Sequence, residues 1–226
     1  MRNSRLMRSF VFGLLALIAC QAYAANPFGI EMPELDDWGA VAHEDAGAGF
    51  VFRNSYSVYF FQEVHKYDNP KLGYSLIYAS HPGTIITVYV YGDGMESIPD
   101  GITSPRVKKQ LNSADKALTQ SGQYLSVVEE TRPDLSFGFL QAFHLIKLKN
   151  GAEVKSYTLL RAQNQHFVKV RITGQSFLME PRVSEFLCHL EIDLGIRAGV
   201  QPGAPECREY APNKSLNTDA SDAGAG

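Results

Sequence analysis

Between residues 138 and 173 the chain reads as three consecutive strands joined by two short polar turns, and this constrains the fold more than any other feature. Apolar and polar residues alternate through 138–148, 153–162 and 166–173, separated by Asn150-Gly151 and by Gln163-Asn164-Gln165. Period-two alternation interrupted by turn residues is the signature of an antiparallel meander. Register then decides which side chains meet the core, because a one-residue slip exchanges the two faces. A two-residue loop at Asn150-Gly151 would place Ile146 on a face with Lys155, and Leu148 with Glu153. A three-residue loop with Gly151 in the left-handed position instead pairs Leu148 with Ala152, Ile146 with Val154, Ala142 with Thr158 and Leu140 with Leu160. It also sets Lys147 opposite Glu153 and Phe143 opposite Tyr157, both favourable cross-strand pairs. A turn at 163–165 then sets Leu160 against Val168 and Thr158 against Val170.

In this register one face is apolar, running from Leu140 and Ile146 through Val154 and Leu160 to Val168, Val170 and Ile172. The other interleaves Phe139, Phe143, Tyr157, Leu159 and Phe167 with Lys147, Lys155, Arg161, Lys169 and Arg171, and Glu153 is the only acid in the whole stretch. Five cations on one sheet face form a local positive field. Phe143, Lys155, Tyr157, Arg161, Phe167, Lys169 and Arg171 are therefore candidate ligand-binding residues, suited to an anionic envelope component or an acidic protein segment. Arg171 beside Tyr157 and Phe143 could stack on a ring. The competing structural reading has the long Lys and Arg stems covering aromatic surface with their heads in water, or has the acidic N-terminal arm lying over this face.

Upstream, residues 55–61, 73–80 and 84–91 are rich in Tyr, Val, Ile and Phe between turn residues and read as strands. Ser104 offers a helix N-cap and Pro105 the first helical position, with Val107, Leu111, Ala114 and Leu118 on one face and Gly122 at the stop. Residues 124–130 read as another strand. A second helix over 181–194 buries Val183, Phe186, Leu187, Leu190 and Leu194, and Gly195 ends it. The expected fold class is α+β: an antiparallel sheet of about six to seven strands flanked by two main helices.

The composition fits one globular domain. Apolar residues are 45% and charged residues 20% of 226, which excludes a mostly disordered, collagen-like or multi-span membrane chain. The formal charge of −3 argues against nucleic-acid binding, which calls for a marked basic excess. That charge is an average over unlike pieces. Arg2, Arg5 and Arg8, an apolar run to Ala19, and Ala22-Tyr23-Ala24 form an export signal over 1–24. Its removal leaves 18 basic and 24 acidic residues, net −6. The bacterial periplasm is the expected destination. Leu17-Ile18-Ala19-Cys20 also resembles a lipobox, in which Cys20 would be acylated and the protein tethered to a membrane; only in that case does a membrane become a partner.

Residues 25–52 carry six acids and no Lys or Arg and read as an irregular acidic arm, with at most a helical turn near Trp38. Residues 53–197 form the α+β domain, and 198–226 a disordered tail rich in Gly, Pro, Ala and Asp. After cleavage only Cys188 and Cys207 remain, an even pair in an oxidising compartment. A bridge would pin the tail to the last helix, the alternative being two unrelated thiols.

Sites for chemistry are scarce. His144 falls on the core face opposite Ser156, where a hydrogen-bonded core histidine is the ordinary reading. His189 and Asp193 share a helix face at i, i+4, but two ligands without a third make no zinc site. There is no G-x-S-x-G elbow, Walker loop, H-E-x-x-H or CxxC, so neither a metal nor a cofactor is expected. The element order, with the Lys149-Asn150-Gly151 turn, His166-Phe167-Val168-Lys169-Val170 and a closing helix through Phe186 and Leu187, resembles the Mog1/PsbP-like fold over residues 56–194. Members of that fold are mostly non-enzymatic: accessory photosystem subunits, a small-GTPase binder and bacterial envelope lipoproteins. The resemblance implies a binding or assembly role and carries over no functional residue. The expected function is thus an exported, non-catalytic binding or accessory protein. The alternative is a small periplasmic hydrolase using His144 or His166 with a carboxylate.

Overall fold

In the computed structural model the described residues are 40–80, 83–92, 94, 97–120, 124, 126–129, 138–174, 180–197 and 207. Residues 1–24, expected to form the export signal, with Cys20, residues 25–39 and the expected tail apart from Cys207 lie outside them. The strands are β1 (Val41–Asp45), β2 (Phe50–Arg53), β3 (Ser55–Tyr56), β4 (Tyr59–Lys66), β5 (Tyr74–Ser80), β6 (Thr84–Tyr91), β7 (Ser126–Glu129), β8 (Leu140–Lys147), β9 (Glu153–Gln163) and β10 (His166–Gly174). The helices are α1 (Pro105–Thr119) and α2 (Glu180–Asp193). The main sheet is antiparallel in the order β3-β4-β5-β6-β10-β9-β8-β7, seven strands of four residues or more plus the two-residue β3. The α+β class stands.

Each face of this sheet is covered by one helix. Ser104 caps α1 by accepting the Val107 N–H at 3.2 Å, and Val107, Leu111 and Leu118 are buried along it. Leu111 and Val107 pack with Leu160, Ala162 and Phe167, Leu118 with Ile146 and Val154. On the opposite face Val183, Phe186, Leu187 and Leu190 of α2 join Tyr78, Val88, Val170, Leu159 and Phe143 in the main core. Gly195, at φ 71°, turns the chain out of α2 as expected, since only glycine enters that region freely. Cys188 of α2 is bonded to Cys207, both buried.

Three expectations are corrected. The arm over 25–52 is not irregular throughout: β1 and β2 form a hairpin whose Phe50 and Phe52 are fully buried in the main core. Of its acids, Glu44 is exposed on the hairpin and Asp45 closes the turn, accepting the Gly47 and Ala48 N–H groups at 3.0 Å. This hairpin is therefore part of the packed fold. Second, residues 55–61 are not one strand. Ser57, at φ 58°, breaks them into the β3–β4 hairpin, which pairs Tyr56 with Tyr59.

The third correction bears on function. The β8–β9 register is as expected, with Ile146 opposite Val154, Phe143 opposite Tyr157 and Leu140 opposite Leu160. The β9–β10 register is not. Gln163 pairs with His166, Val168 with Arg161, Lys169 with Leu160 and Arg171 with Thr158. The loop has two residues, Asn164 and Gln165, both left-handed at φ 48° and 62°, the requirement of a type I′ turn. One residue of slip exchanges the faces of β10.

Candidate functional site

The seven candidate residues consequently do not share a surface. Phe143, Lys155, Tyr157 and Arg161 lie on the α2 side of the sheet; Phe167, Lys169 and Arg171 lie on the α1 side. Phe143 and Tyr157 are core, their rings 4.6 Å apart, and Phe167 is fully buried against α1. Arg171 stands between Thr158 and Thr87, away from the Tyr157 and Phe143 rings.

Arg161 is used within the fold. It is buried, donates to the Gly138 carbonyl at 3.0 Å and to Gln163 Oε1 at 2.9 Å. Glu191 of α2, 1% exposed, takes the Gly138 N–H at 2.6 Å and Arg197 Nε at 2.6 Å. The backbone N–H and carbonyl of Gly138 are thus held by side chains of opposite charge. Burial raises the Glu191 carboxyl against the opposing pull of Arg197, and burial lowers Arg161. Asp193 is engaged in a similar way, since Arg53 grips it through Nε at 2.8 Å and Nη2 at 3.0 Å while Tyr56 donates at 2.9 Å. This pair ties the end of α2 to β2 and β3, and it removes Asp193 from any joint role with His189.

What remains is the α1 side of β10. Residues two apart on a strand point the same way, so Lys169 and Arg171 rise side by side. Lys169 is 9% exposed and its Nζ lies 3.9 Å from the Tyr89 ring centroid and 5.8 Å from that of Tyr91. Burial, then the Arg171 charge, push its ammonium down to about 7. Arg171 is half-buried and meets only hydroxyls among the described residues: Nε reaches Ser156 Oγ at 3.4 Å and Nη2 reaches Tyr124 Oη at 3.3 Å. Ser156 Oγ lies 3.3 Å from Thr173 Oγ1. Charge-assisted N–H···O bonds normally measure ~2.8 Å, so this guanidinium is loosely held. Burial also raises the Tyr89 hydroxyl, with Arg171 pulling it back.

No protein-family model, curated protein or solved structure matches this chain. The site must be judged on its own chemistry.

One row further along the same face, His144 is fully buried with Nε2 2.5 Å from Asp115 Oδ1 of α1. The contact is off-line: neither ring nitrogen makes an aligned hydrogen bond. Ser156 is the cross-strand neighbour of His144, so Asp115, His144 and Ser156 have the residue types of a nucleophilic triad. The Ser156 hydroxyl, however, is fully buried and turned to Thr173 and Arg171. A nucleophile must bond its base and face an opening, and this one does neither. His166 sits at the β9–β10 turn with Nδ1 2.7 Å from the Asn164 carbonyl.

Beside that turn lies a shallow dish between residues 46–49, Ser97, Ile98 and Asp100. Two of its polar groups are paired within the fold, Asn164 Nδ2 with the Ala48 carbonyl at 2.8 Å and Asp100 with the Gln165 N–H at 3.4 Å. Among the described residues no three His, Cys, Asp or Glu side chains gather to hold a metal, and no helix is long and apolar enough to cross a membrane. Sequence reasoning missed Tyr89, Tyr124, Ser156 and Thr173 as neighbours of the cations. Only the correct β9–β10 register could have assembled them.

Proposed function

We propose that this is an exported cell-envelope protein that works without catalysis, as a binding or accessory component, and engages an anionic partner through Lys169 and Arg171. The observation that carries the reading is that pair of cations on the α1 side of β10, one buried against tyrosine rings and the other bonded, among the described residues, to the Ser156 and Tyr124 hydroxyls. A buried lysine beside an arginine lowers stability, and folds depart from local consistency chiefly where function requires it. The basic leader followed by a small-residue cleavage site supports export. The element order resembling the Mog1/PsbP-like fold supports an accessory role.

The test is salt-sensitive binding of the mature chain to anionic phospholipid vesicles and to an acidic polysaccharide. Wild type binds at least one of them at low ionic strength, and Arg171→Glu weakens that binding about tenfold or more, while Arg182→Glu on the exposed end of α2 does not. Absence of wild-type binding to either, or equal binding by Arg171→Glu, refutes the reading. Mass spectrometry of the mature N-terminus decides between Ala25 and acylated Cys20. The hydrolase alternative draws on the 2.5 Å His144–Asp115 approach, but a fully buried imidazole with no aligned partner better serves to seat α1 on the sheet.

A further inference from the structure

The dish beside the β9–β10 turn carries a different chemistry from the cations on β10. Its volume is about 900 Å³ and it opens broadly to solvent. The floor is apolar and buried, with Ile98 2% and Ala48 4% exposed. The rim is polar: it presents the Ser97 hydroxyl, the Asp100 carboxylate and the Asn164 and Gln165 amides, and Asp100 is the one charged side chain among the described lining residues. We infer that this dish is a binding site for a neutral oligosaccharide, recognised through its hydroxyl groups. The inference goes beyond the anionic-partner role proposed above and does not depend on it.

The rim is in place before any ligand arrives. Asp45 holds the Gly47 and Ala48 N–H groups at 3.0 Å. Asn164 Nδ2 joins the β9–β10 turn to the Ala48 carbonyl at 2.8 Å, and paired backbone bonds of 2.8 and 3.0 Å tie Gly101 to Ala162. Three separate stretches of chain are thus fixed around one opening, which lowers the ordering cost of binding. Gln165 adds a second observation. Its φ of 62° belongs to a turn position that favours glycine, and strained backbone of this kind clusters where ligands are gripped. A glycine there would relax the turn and leave the dish without that amide. Asp100 accepts the Gln165 N–H at 3.4 Å, a long bond that leaves the carboxylate available to a stronger donor.

The ligand class follows from the rim groups. A carboxylate accepts, whereas a hydroxyl and a primary amide both donate and accept, a combination that matches adjacent sugar hydroxyls. Sites for apolar ligands are concave and lined mainly by hydrophobic side chains, but this opening is broad and mainly polar. Peptides are read by sheet edges or by grooves for their side chains, and the dish is built from turns. The Asp100 carboxylate disfavours an acidic glycan. With no aromatic ring among the described lining residues, the contact is small and the expected Kd is roughly millimolar.

The experiment is an NMR titration of the nitrogen-15-labelled full mature chain with maltotriose, cellotriose, triacetylchitotriose, trigalacturonate and calcium chloride. At least one neutral trisaccharide is expected to shift the amides of Gly47, Ala48 and Gln165 and to saturate in the millimolar range, with trigalacturonate binding more weakly. Asp100→Ala and Gln165→Gly each weaken binding about tenfold, the loss of a hydrogen bond or two. Gln165→Gly at the same time raises the thermal midpoint, a split that a merely structural residue would not give. Arg171→Glu leaves sugar binding unchanged, which separates this site from the anionic-partner surface. No shift from any neutral sugar, undiminished binding by Asp100→Ala or Gln165→Gly, trigalacturonate bound as tightly as the neutral sugars, or shifts from calcium alone overturns the inference.

Discussion

Replacing Lys169 by Met is the sharpest probe of the α1-side strip. The substitution keeps an unbranched apolar stem of similar length and removes the charge and the Nζ contact with the Tyr89 ring. The ammonium falls from an ordinary value of 10.5 to about 7 on folding, through burial first and Arg171 second. A base whose pKa falls on folding gives up a proton, so between about 7 and 10.5 the unfolded chain binds more protons than the folded one. Stability conferred at this position therefore rises with pH across that window. At 1.36 kcal/mol per unit, Lys169 costs the fold on the order of 4 kcal/mol at pH 7 and about 1 kcal/mol at pH 9.5. Lys169→Met should accordingly be more stable than wild type by roughly 4 kcal/mol at pH 7, the gap closing toward 1 kcal/mol at pH 9.5. Guanidinium unfolding of both proteins at half-unit steps measures this, and the tyrosines, common to both, cancel in the difference. A gap that stays constant with pH means that the amine is solvated and titrates normally. Lys169 would then not be a buried cation, and the reasoning built on it would fail.

Four further substitutions address the rest of the fold. Removing the Cys188–Cys207 bond as a double serine variant should cost about 3 kcal/mol in guanidinium unfolding, from a separation of 19 residues in the chain-entropy account; an unchanged midpoint would show the bridge to be absent. Gln165→Gly should stabilise by about 1 kcal/mol, since a side chain at φ 62° is strained. A loss instead would point to a three-residue turn. Asp193→Asn should cost about 3 kcal/mol by thermal unfolding, because it leaves the Arg53 guanidinium and the Tyr56 hydroxyl facing a weaker acceptor. His144→Leu alone should be less stable than His144→Leu with Asp115→Leu by about 1 kcal/mol or more, and simple additivity of the two changes would show no interaction between them.

The two hairpins of the meander explain why one register was legible and the other was not. At β8–β9 the wrong pairing would have set Leu148 beside Glu153 and Ile146 beside Lys155, and Gly151 offered a left-handed residue at the right place. The sequence itself penalised the error. At β9–β10 it did not. Both faces of the sheet are covered, so Phe167, Val168 and Val170 are all fully buried, and a strand buried on both sides lacks the alternation that fixes register. The I′ turn there is Asn164-Gln165 rather than the Asn-Gly that announces such a loop. The β1–β2 hairpin was hidden differently: its Glu44 and Asp45 suggested a solvated arm, while Phe50 and Phe52 carried the signal of burial.

The slip in register changes what each cation does. On one face, the five cations were equivalent and any of them could have met a partner. Separated by the sheet, Arg161 becomes part of the clamp on Gly138 together with Glu191, where its charge is matched and its removal would harm the fold. Among the described residues, Lys169 has the Tyr89 ring face beside it and Arg171 has the Ser156 and Tyr124 hydroxyls instead. An ion pair that serves the fold, such as Arg53 with Asp193, is short, bidentate and capped by a third donor. The Arg171 contacts are long and end on neutral oxygens. Stability accounts for the first arrangement, and the binding role proposed above is placed on the second, at Arg171 and its neighbour Lys169, because Arg161 is already engaged within the fold.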